Sequence, residues 1–299
     1  MPVCLLTGAT GFIGRHAVRL LPLSGWTVHA LVRSPERLAG ANVQVYIDDG
    51  SLESIRHAVR ASAPDVVIHM ATCYIKDHRP DDIGGMFQAN VLFGTWLLEA
   101  MTEAGSTRLL TIGTAWQHLD VPDDSYRPAT LYAATKQAFE DIARWYTDAR
   151  NVAVTALHFG DTYGSDDPRP KIFALLEKSA RSGETLEMSP GGQKIDPMHV
   201  RDAVRAIHVG AHRLIDGSDS GFHCYRVTPG KPRSLREVVD VWCAATSLNP
   251  CIAWGARPYR ARETMTTWQG GLCLPGWDAT ILLEDGLADT VATVHKPRL

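Results

Sequence analysis

The sequence predicts a doubly wound α/β fold: a parallel sheet with helices on both faces, followed by a smaller α+β lobe. Two observations predict it. Strand-like and helix-like segments alternate through the first half of the chain, and a glycine-rich turn separates the first strand from the first helix. Such alternation implies βαβ units with right-handed crossovers, whose strands are apolar along their length because both faces are covered.

Strands are expected over residues 3–7, 27–32, 43–46, 66–70, 108–112 and 152–157, with helices over 13–23, 52–61, 83–104 and 131–149. After about Gly160 the alternation loosens. DTYGSDDPRPK is dense in Asp, Pro and Gly and is expected as a loop. Helices over 171–182, 201–214 and 235–245 follow, separated by short strands. The expected division is a dinucleotide-binding domain over 1–160 and a smaller lobe over 161–299, with some segments of the second part returning to the sheet.

Composition narrows the class of protein. The chain has 299 residues, 45% hydrophobic and 21% charged, and 30 basic against 33 acidic side chains give a net charge of −3. That balance, without basic clusters, argues against a nucleic-acid partner. Six scattered cysteines without a CxxC pair argue for reduced thiols rather than a disulfide framework or a zinc site. The first residues lack a basic n-region, and no apolar run is long enough to span a membrane. A soluble, cytoplasmic protein is expected.

TGATGFIG, residues 7–14, places Gly8, Gly11 and Gly14 at GxxGxxG spacing, with Phe12 and Ile13 opening the helix. The glycines permit a positive φ, close backbone approach to a pyrophosphate and tight helix–strand packing, and the helix N-terminus favours the anion. An ordinary tight turn shows the same pattern, but the position between strand and helix favours a dinucleotide. In HALVRSPERL, Arg33 and Arg37 follow the second strand where an acid would hydrogen-bond the ribose of NAD. Guanidinium groups there favour the 2′-phosphate of NADP(H), with NAD(H) as the alternative if they are solvated loop residues.

LYAATKQAFE, residues 131–140, sets Tyr132 and Lys136 on one face of a helix. A phenol ordinarily titrates near ~10, and a neighbouring ammonium is expected to lower that value. The pair would then move a proton at a carbonyl oxygen while hydride reaches the carbon; the alternative is a half-buried helix with a solvated lysine.

TGATGFIG, VVIHMAT, NVLFGTWLLEA, IGTAW, YAATK and HFGDTYG occur in this order along the chain. Together they resemble the extended short-chain dehydrogenase/reductases of the NAD-dependent epimerase/dehydratase group. The resemblance implies a Rossmann-type domain, a C-terminal substrate lobe and nucleotide-sugar substrates. It makes Thr114, Tyr132 and Lys136 catalytic, with Asn90 supporting them. It assigns Asp49 to the adenine, with Asp48 as the alternative, and Ala71 and Phe159 to the cofactor wall. Sugar 4,6-dehydratases carry an Asp-Glu pair after the catalytic Thr, whereas Ala115 and Trp116 stand here, which disfavours dehydration.

Longer stretches, among them TAWQH and MSPGGQKIDPMHVRDAV, resemble the group that contains CDP-abequose and CDP-paratose synthases and related nucleotide-4-keto-6-deoxysugar reductases. They imply a nucleotide-4-keto-6-deoxysugar reductase using NADPH. The alternatives are a 4-epimerase with tightly bound NAD and a non-catalytic NADP(H) sensor. Arg260, in Arg-x-x-Glu spacing with Glu263, and Arg262 are the expected diphosphate contacts, or else surface residues. Asp161 is expected at the substrate, and Lys194 beside Ile195, where relatives carry Arg. Trp277 is expected to pack, His199 and Asp202 to cap a helix, and Trp116 and Tyr74 to shape a pocket or the core. His118 is expected as an exposed loop histidine rather than a proton shuttle. No metal site is expected. Helices 83–104 and 131–149 are the expected homodimer surface.

Overall fold

The alternating apolar runs fold into one sheet of eight strands, each parallel to its neighbours. They are seen in a computed structural model that describes residues 1–292; residues 293–299, the end of the expected second lobe, lie outside the described residues. The first half runs β1 (Val3–Thr7), α1 (Phe12–Leu20), β2 (Thr27–Val32), β3 (Gln44–Ile47), α2 (Leu52–Ser62), β4 (Val66–His69), α3 (Asp82–Phe87), α4 (Phe93–Glu103), β5 (Arg108–Thr114), α5 (Leu131–Arg150) and β6 (Ala153–Phe159). The second half runs β7 (Thr162–Tyr163), α6 (Ile172–Ser182), β8 (Leu186–Met188), β9 (Lys194–Ile195), β10 (Met198–His199), α7 (Val200–Ile215), β11 (Phe222–Val227), β12 (Arg233–Ser234), α8 (Leu235–Thr246), β13 (Ile252–Trp254), β14 (Leu272–Cys273) and α9 (Leu283–Ala292).

The sheet order is β3-β2-β1-β4-β5-β6-β11-β14. Its first six strands have the doubly wound dinucleotide-binding order, and the reversal between β1 and β4 opens a crevice at their C-terminal ends. Successive residues point to opposite faces. Leu6 therefore packs with Ala17, Ala203 and Ile207 of α1 and α7, while Leu5 packs with Ile55, Leu97 and Phe139 of α2, α4 and α5. Cys4 lies in the first of these cores, and burial pushes its thiol up to about 12.

The lobe beside this sheet has its own core, built on Leu176, Met188, Leu235, Val239 and Trp242. Three two-stranded pairings, β7–β10, β8–β13 and β9–β12, shape it. Helix α7 and strands β11 and β14 belong to the main sheet layer instead.

Three local differences from the expected elements have physical causes. Helix α1 stops at Leu20, because Pro22 opens a separate 3-10 turn that closes at Gly25 with φ of 83°. The expected helix 83–104 runs through a π-turn over Gln88–Leu92, which carries Asn90. Thr162 and Tyr163, expected in a loop, pair with Met198 and His199. No described helix is long and apolar enough to cross a membrane.

Candidate active site

A cavity of about 640 Å³ lies across the C-terminal ends of β1, β4, β5 and β6, within the usual size of a small-molecule site. Its floor is the glycine turn. Gly8 has φ of +71°, and a Cβ there would lie 2.5 Å from the Ala71 nitrogen. Gly14 presses so closely on this turn that its Cβ would lie 2.1 Å from the Gly8 carbonyl oxygen. No side chain caps the N-terminus of α1, so its first N–H groups remain available to an anion. Gly11, Phe12, Ile13, Ala71 and Phe159 also line the cavity, with Arg33 and Arg37 at its rim. Asp49 does not join them: it is exposed, and its carboxylate accepts from the Ser51 N–H at 2.9 Å. Asp48 lines the cavity in its place.

Helix α5 carries Tyr132 and Lys136 into the cavity wall. It starts where the Thr130 side chain accepts from the Ala133 N–H, which satisfies one otherwise orphaned donor. Thr114 ends β5 in the same wall, and its hydroxyl accepts from the Trp116 N–H at 3.2 Å. Asn90 lies behind them, 1% exposed. Its Oδ1 accepts from the Cys73 N–H and the Thr72 hydroxyl, and its Nδ2 donates to the Cys73 carbonyl and the Thr135 hydroxyl. The Thr72 hydroxyl, its proton given to Asn90, also stands against the Tyr132 phenol. Thr72 therefore links Asn90 to Tyr132, a connection across separate elements that no sequence spacing signals.

The electrostatics correct one expectation. The Tyr132 phenol is pushed up to about 12, by burial first, with the Thr72 hydrogen bond and the Arg169 charge opposing. The lowering expected from Lys136 is not found. Lys136 is itself brought down to about 8 by burial, opposed by Glu140 one turn further along. At each group desolvation outweighs the neighbours that oppose it. Tyr132 thus holds its proton at neutral pH.

A second cavity, of about 1120 Å³, continues into the lobe. Tyr74, Trp116, Asp161, Arg169 and Lys171 belong to both cavities. Asp161 stands 3.4 Å from the Lys171 ammonium. Lys76 lies over the Trp116 ring, 5.0 Å from its centroid, and 3.8 Å from Glu263. Lys194 and Arg260 line this cavity, the latter 3.4 Å from Asp77. Arg262 does not line either cavity, because its guanidinium donates to the Pro128 and Ala129 carbonyls.

His118 is buried rather than exposed. Its ring stacks on Trp268 at 3.9 Å and 12°, and its Nε2 lies 3.2 Å from His158 Nδ1. His158 in turn pairs with Glu140 at 2.8 Å. Glu140, His158 and Cys224 bring one ligand atom each within 4.8 Å of one another, a grouping drawn from three elements with no local spacing. The imidazole and the Lys136 charge already serve the carboxylate there. Trp277 packs as expected, donating to the Asp202 carbonyl; His199 caps α7 by accepting from the Arg201 N–H, whereas the Asp202 carboxylate accepts from the Thr280 and Ile281 N–H groups instead of capping that helix.

A glycine turn at a helix start, joined to a hydroxyl–Tyr–Lys set at the switch point of a parallel sheet, defines an NAD(P)-dependent oxidoreductase of the short-chain dehydrogenase/reductase type. The chain belongs to the NAD dependent epimerase/dehydratase family, whose model matches residues 4–219. It is similar to a CDP-abequose synthase of Salmonella muenchen, 26% identical over 287 residues that cover 95% of this chain and 94% of the relative. Among solved structures it is similar to MoeE5 in complex with UDP-glucose and NAD, with a TM-score of 0.82, 29% identity and coverage of 97% and 98% of the two chains. The UDP-glucose 4-epimerase of Thermus thermophilus in complex with NAD gives a TM-score of 0.80 at 25% identity, with the same coverage.

Proposed function

We propose that this chain reduces the keto group, at C4, of a nucleotide-activated 4-keto-6-deoxysugar with NADPH, in deoxysugar biosynthesis. The observation that carries this reading is a buried Tyr132 that lines one cavity with Lys136 and Thr114, a cavity that continues into a second one. The glycine turn, the uncapped start of α1 and the rim arginines fit a phosphorylated dinucleotide, which supplies hydride when bound. Tyr132 gives its phenolic proton to the carbonyl oxygen, and the Thr114 hydroxyl donates a hydrogen bond to the same oxygen. Lys136 supplies positive charge to the cofactor ribose and to the tyrosine as its proton leaves. Asn90 positions Tyr132 through Thr72.

Similarity to CDP-abequose synthase supports the substrate class, and the absence of a carboxylate at Ala115 and Trp116 supports reduction over dehydration. Asp161, Lys194 and Arg260 are the proposed substrate contacts. The exposed Phe87, Leu92 and Trp145 support a homodimer through the helices that carry them.

A 4-epimerase with tightly held NAD is the second reading, favoured by the structural similarity to epimerases that carry NAD. The test is nicotinamide absorbance with NADPH or NADH and CDP-, dTDP-, GDP- and UDP-linked 4-keto-6-deoxyhexoses. Stoichiometric NADPH loss with one of them is expected. Interconversion of saturated nucleotide sugars by protein carrying its own NAD would replace reduction with epimerisation. Tyr132→Phe is expected to bind cofactor and abolish turnover, and unchanged turnover would refute the proton-donor role.

A further inference from the structure

Behind the cavity wall, α5 carries Tyr132, Lys136 and Glu140 at successive turns, 9%, 3% and 2% exposed. The next two groups are also buried: His158 on β6 and His118 in the turn after Thr114. Their hydrogen-bond directions follow from the partners at each end. The Ser125 carbonyl, 3.1 Å from His118 Nδ1, can only accept, so that nitrogen carries a proton. Burial keeps His118 below its ordinary value, so its Nε2 is unprotonated and accepts from His158 Nδ1. The carboxylate of Glu140 accepts from His158 Nε2 at 2.8 Å. Both nitrogens of His158 therefore donate, and His158 is an imidazolium.

We propose that Glu140 and His158 are positioning residues that set the charge of Lys136, with His158 drawing part of the Glu140 charge away from the lysine. The proposal rests on the reading of Lys136 as a member of the catalytic set. The Glu140 carboxylate accepts from the His158 imidazolium at 2.8 Å, and its charge also reaches the buried Lys136 ammonium one helical turn away. Removing the carboxylate leaves Lys136 with the desolvation cost alone and makes it a stronger acid. Removing the imidazolium leaves the whole carboxylate charge to Lys136 and makes it a weaker acid. The other titratable groups around these residues are Cys224 on β11 against His158, Asp123 and Asp124 near His118, Tyr126 near Glu140, and His69 on β4 near Lys136. Burial brings His69 down to about 3, so it stays neutral throughout. Gln117 donates to Glu140 without adding charge. His118 extends the set to Trp268, a residue of the second cavity.

The test is nuclear magnetic resonance on the full chain with labelled lysine and histidine, Lys136→Gln assigning the ammonium signal. Glu140→Gln is expected to increase the acid dissociation constant of Lys136 about tenfold or more, and His158→Gln to decrease it by a similar factor, the size expected of a close charge. Shifts of the same sign, or none, would overturn the proposal; a purely structural role would lower stability in both variants and leave the lysine titration unmoved. The unsubstituted protein provides a second measurement, independent of how the variants fold. Both ring nitrogens of His158 are expected to be protonated at pH 8, and a neutral ring there would overturn the proposal. Neither readout uses turnover, so a failure of the reductase reading is seen separately.

Discussion

Replacing Gly8 with Ala probes the contact on which the first cavity is built. Gly8 has φ of +71°, and the added methyl would meet the Ala71 nitrogen and the Met70 carbonyl carbon at 2.5 Å, with the Met70 oxygen at 2.7 Å. All three atoms are backbone at the end of β4, so no flexible side chain can yield. The left-handed conformation costs a non-glycine residue ~1–2 kcal/mol, and forcing a methyl into a packed contact costs ~1–3 kcal/mol. Separating β1 from β4 would also strain the bonds from Ala71 N to Thr7 Oγ1 and from Met70 N to Thr7 O, both 3.2 Å, each worth ~1 kcal/mol. A loss of about 3–5 kcal/mol is expected, or roughly 6–10 °C in Tm for a chain of this size. Gly105→Ala is the control: its φ is +74°, but nothing lies within 4 Å of the added methyl, so only the ~1–2 kcal/mol conformational cost remains. Urea unfolding without added cofactor, and a dinucleotide titration, measure both variants. If Gly8→Ala costs no more than Gly105→Ala and binds cofactor as tightly as the parent, the close-approach argument is wrong.

Asn90→Ala should cost about 2–3 kcal/mol in urea unfolding, because it takes the partners from the Cys73 backbone N–H and C=O and from the Thr72 hydroxyl; a loss under ~0.5 kcal/mol would show that the network is dispensable. Arg33→Ser should raise the NADPH Kd about tenfold or more while leaving that of NADH unchanged, since a charged hydrogen bond to phosphate is worth ~1.5–3 kcal/mol; equal effects on both would remove Arg33 from the phosphate site. Stability should also depend on pH through His158, which its Glu140 partner raises from 6.5 to about 10 against burial. The native state then holds a proton that the unfolded state loses, so this contribution is complete below pH 6.5 and declines as pH rises toward about 10. Lys136, lowered from 10.5 to about 8, works in the opposite sense above pH 8. Between pH 6.5 and 8 the His158 contribution acts without that opposition. His158→Gln should therefore flatten the decline in urea midpoint over that interval, and an unchanged slope would exclude His158 as its source.

Much of the architecture was legible because its signals are local. Apolar runs and their spacing marked β1, β2, β4, β5 and α5 to within a few residues, since strand and helix periodicity are carried by neighbours in the chain. The glycine turn was legible for the same reason: its geometry is set within eight residues. Tyr132 and Lys136 share a helix face by their spacing, whereas it was the family resemblance that put Thr114 with them; all three line the first cavity.

Tertiary structure decided what depends on distant segments. Asp48 rather than Asp49 faces the cavity because the turn into α2 directs Asp49 onto Ser51. Arg262 is tied to carbonyls more than 130 residues away in sequence, a partner that no spacing reveals. The link from Tyr132 through Thr72 to Asn90 joins three elements, and the chain from Glu140 through His158 to His118 crosses a helix, a strand and a turn. Whether a buried phenol or ammonium gains or loses a proton rests on the balance between desolvation and the few charges that reach it. The sequence by itself determined which groups were present, while packing alone set how much water they lost and which neighbours replaced it.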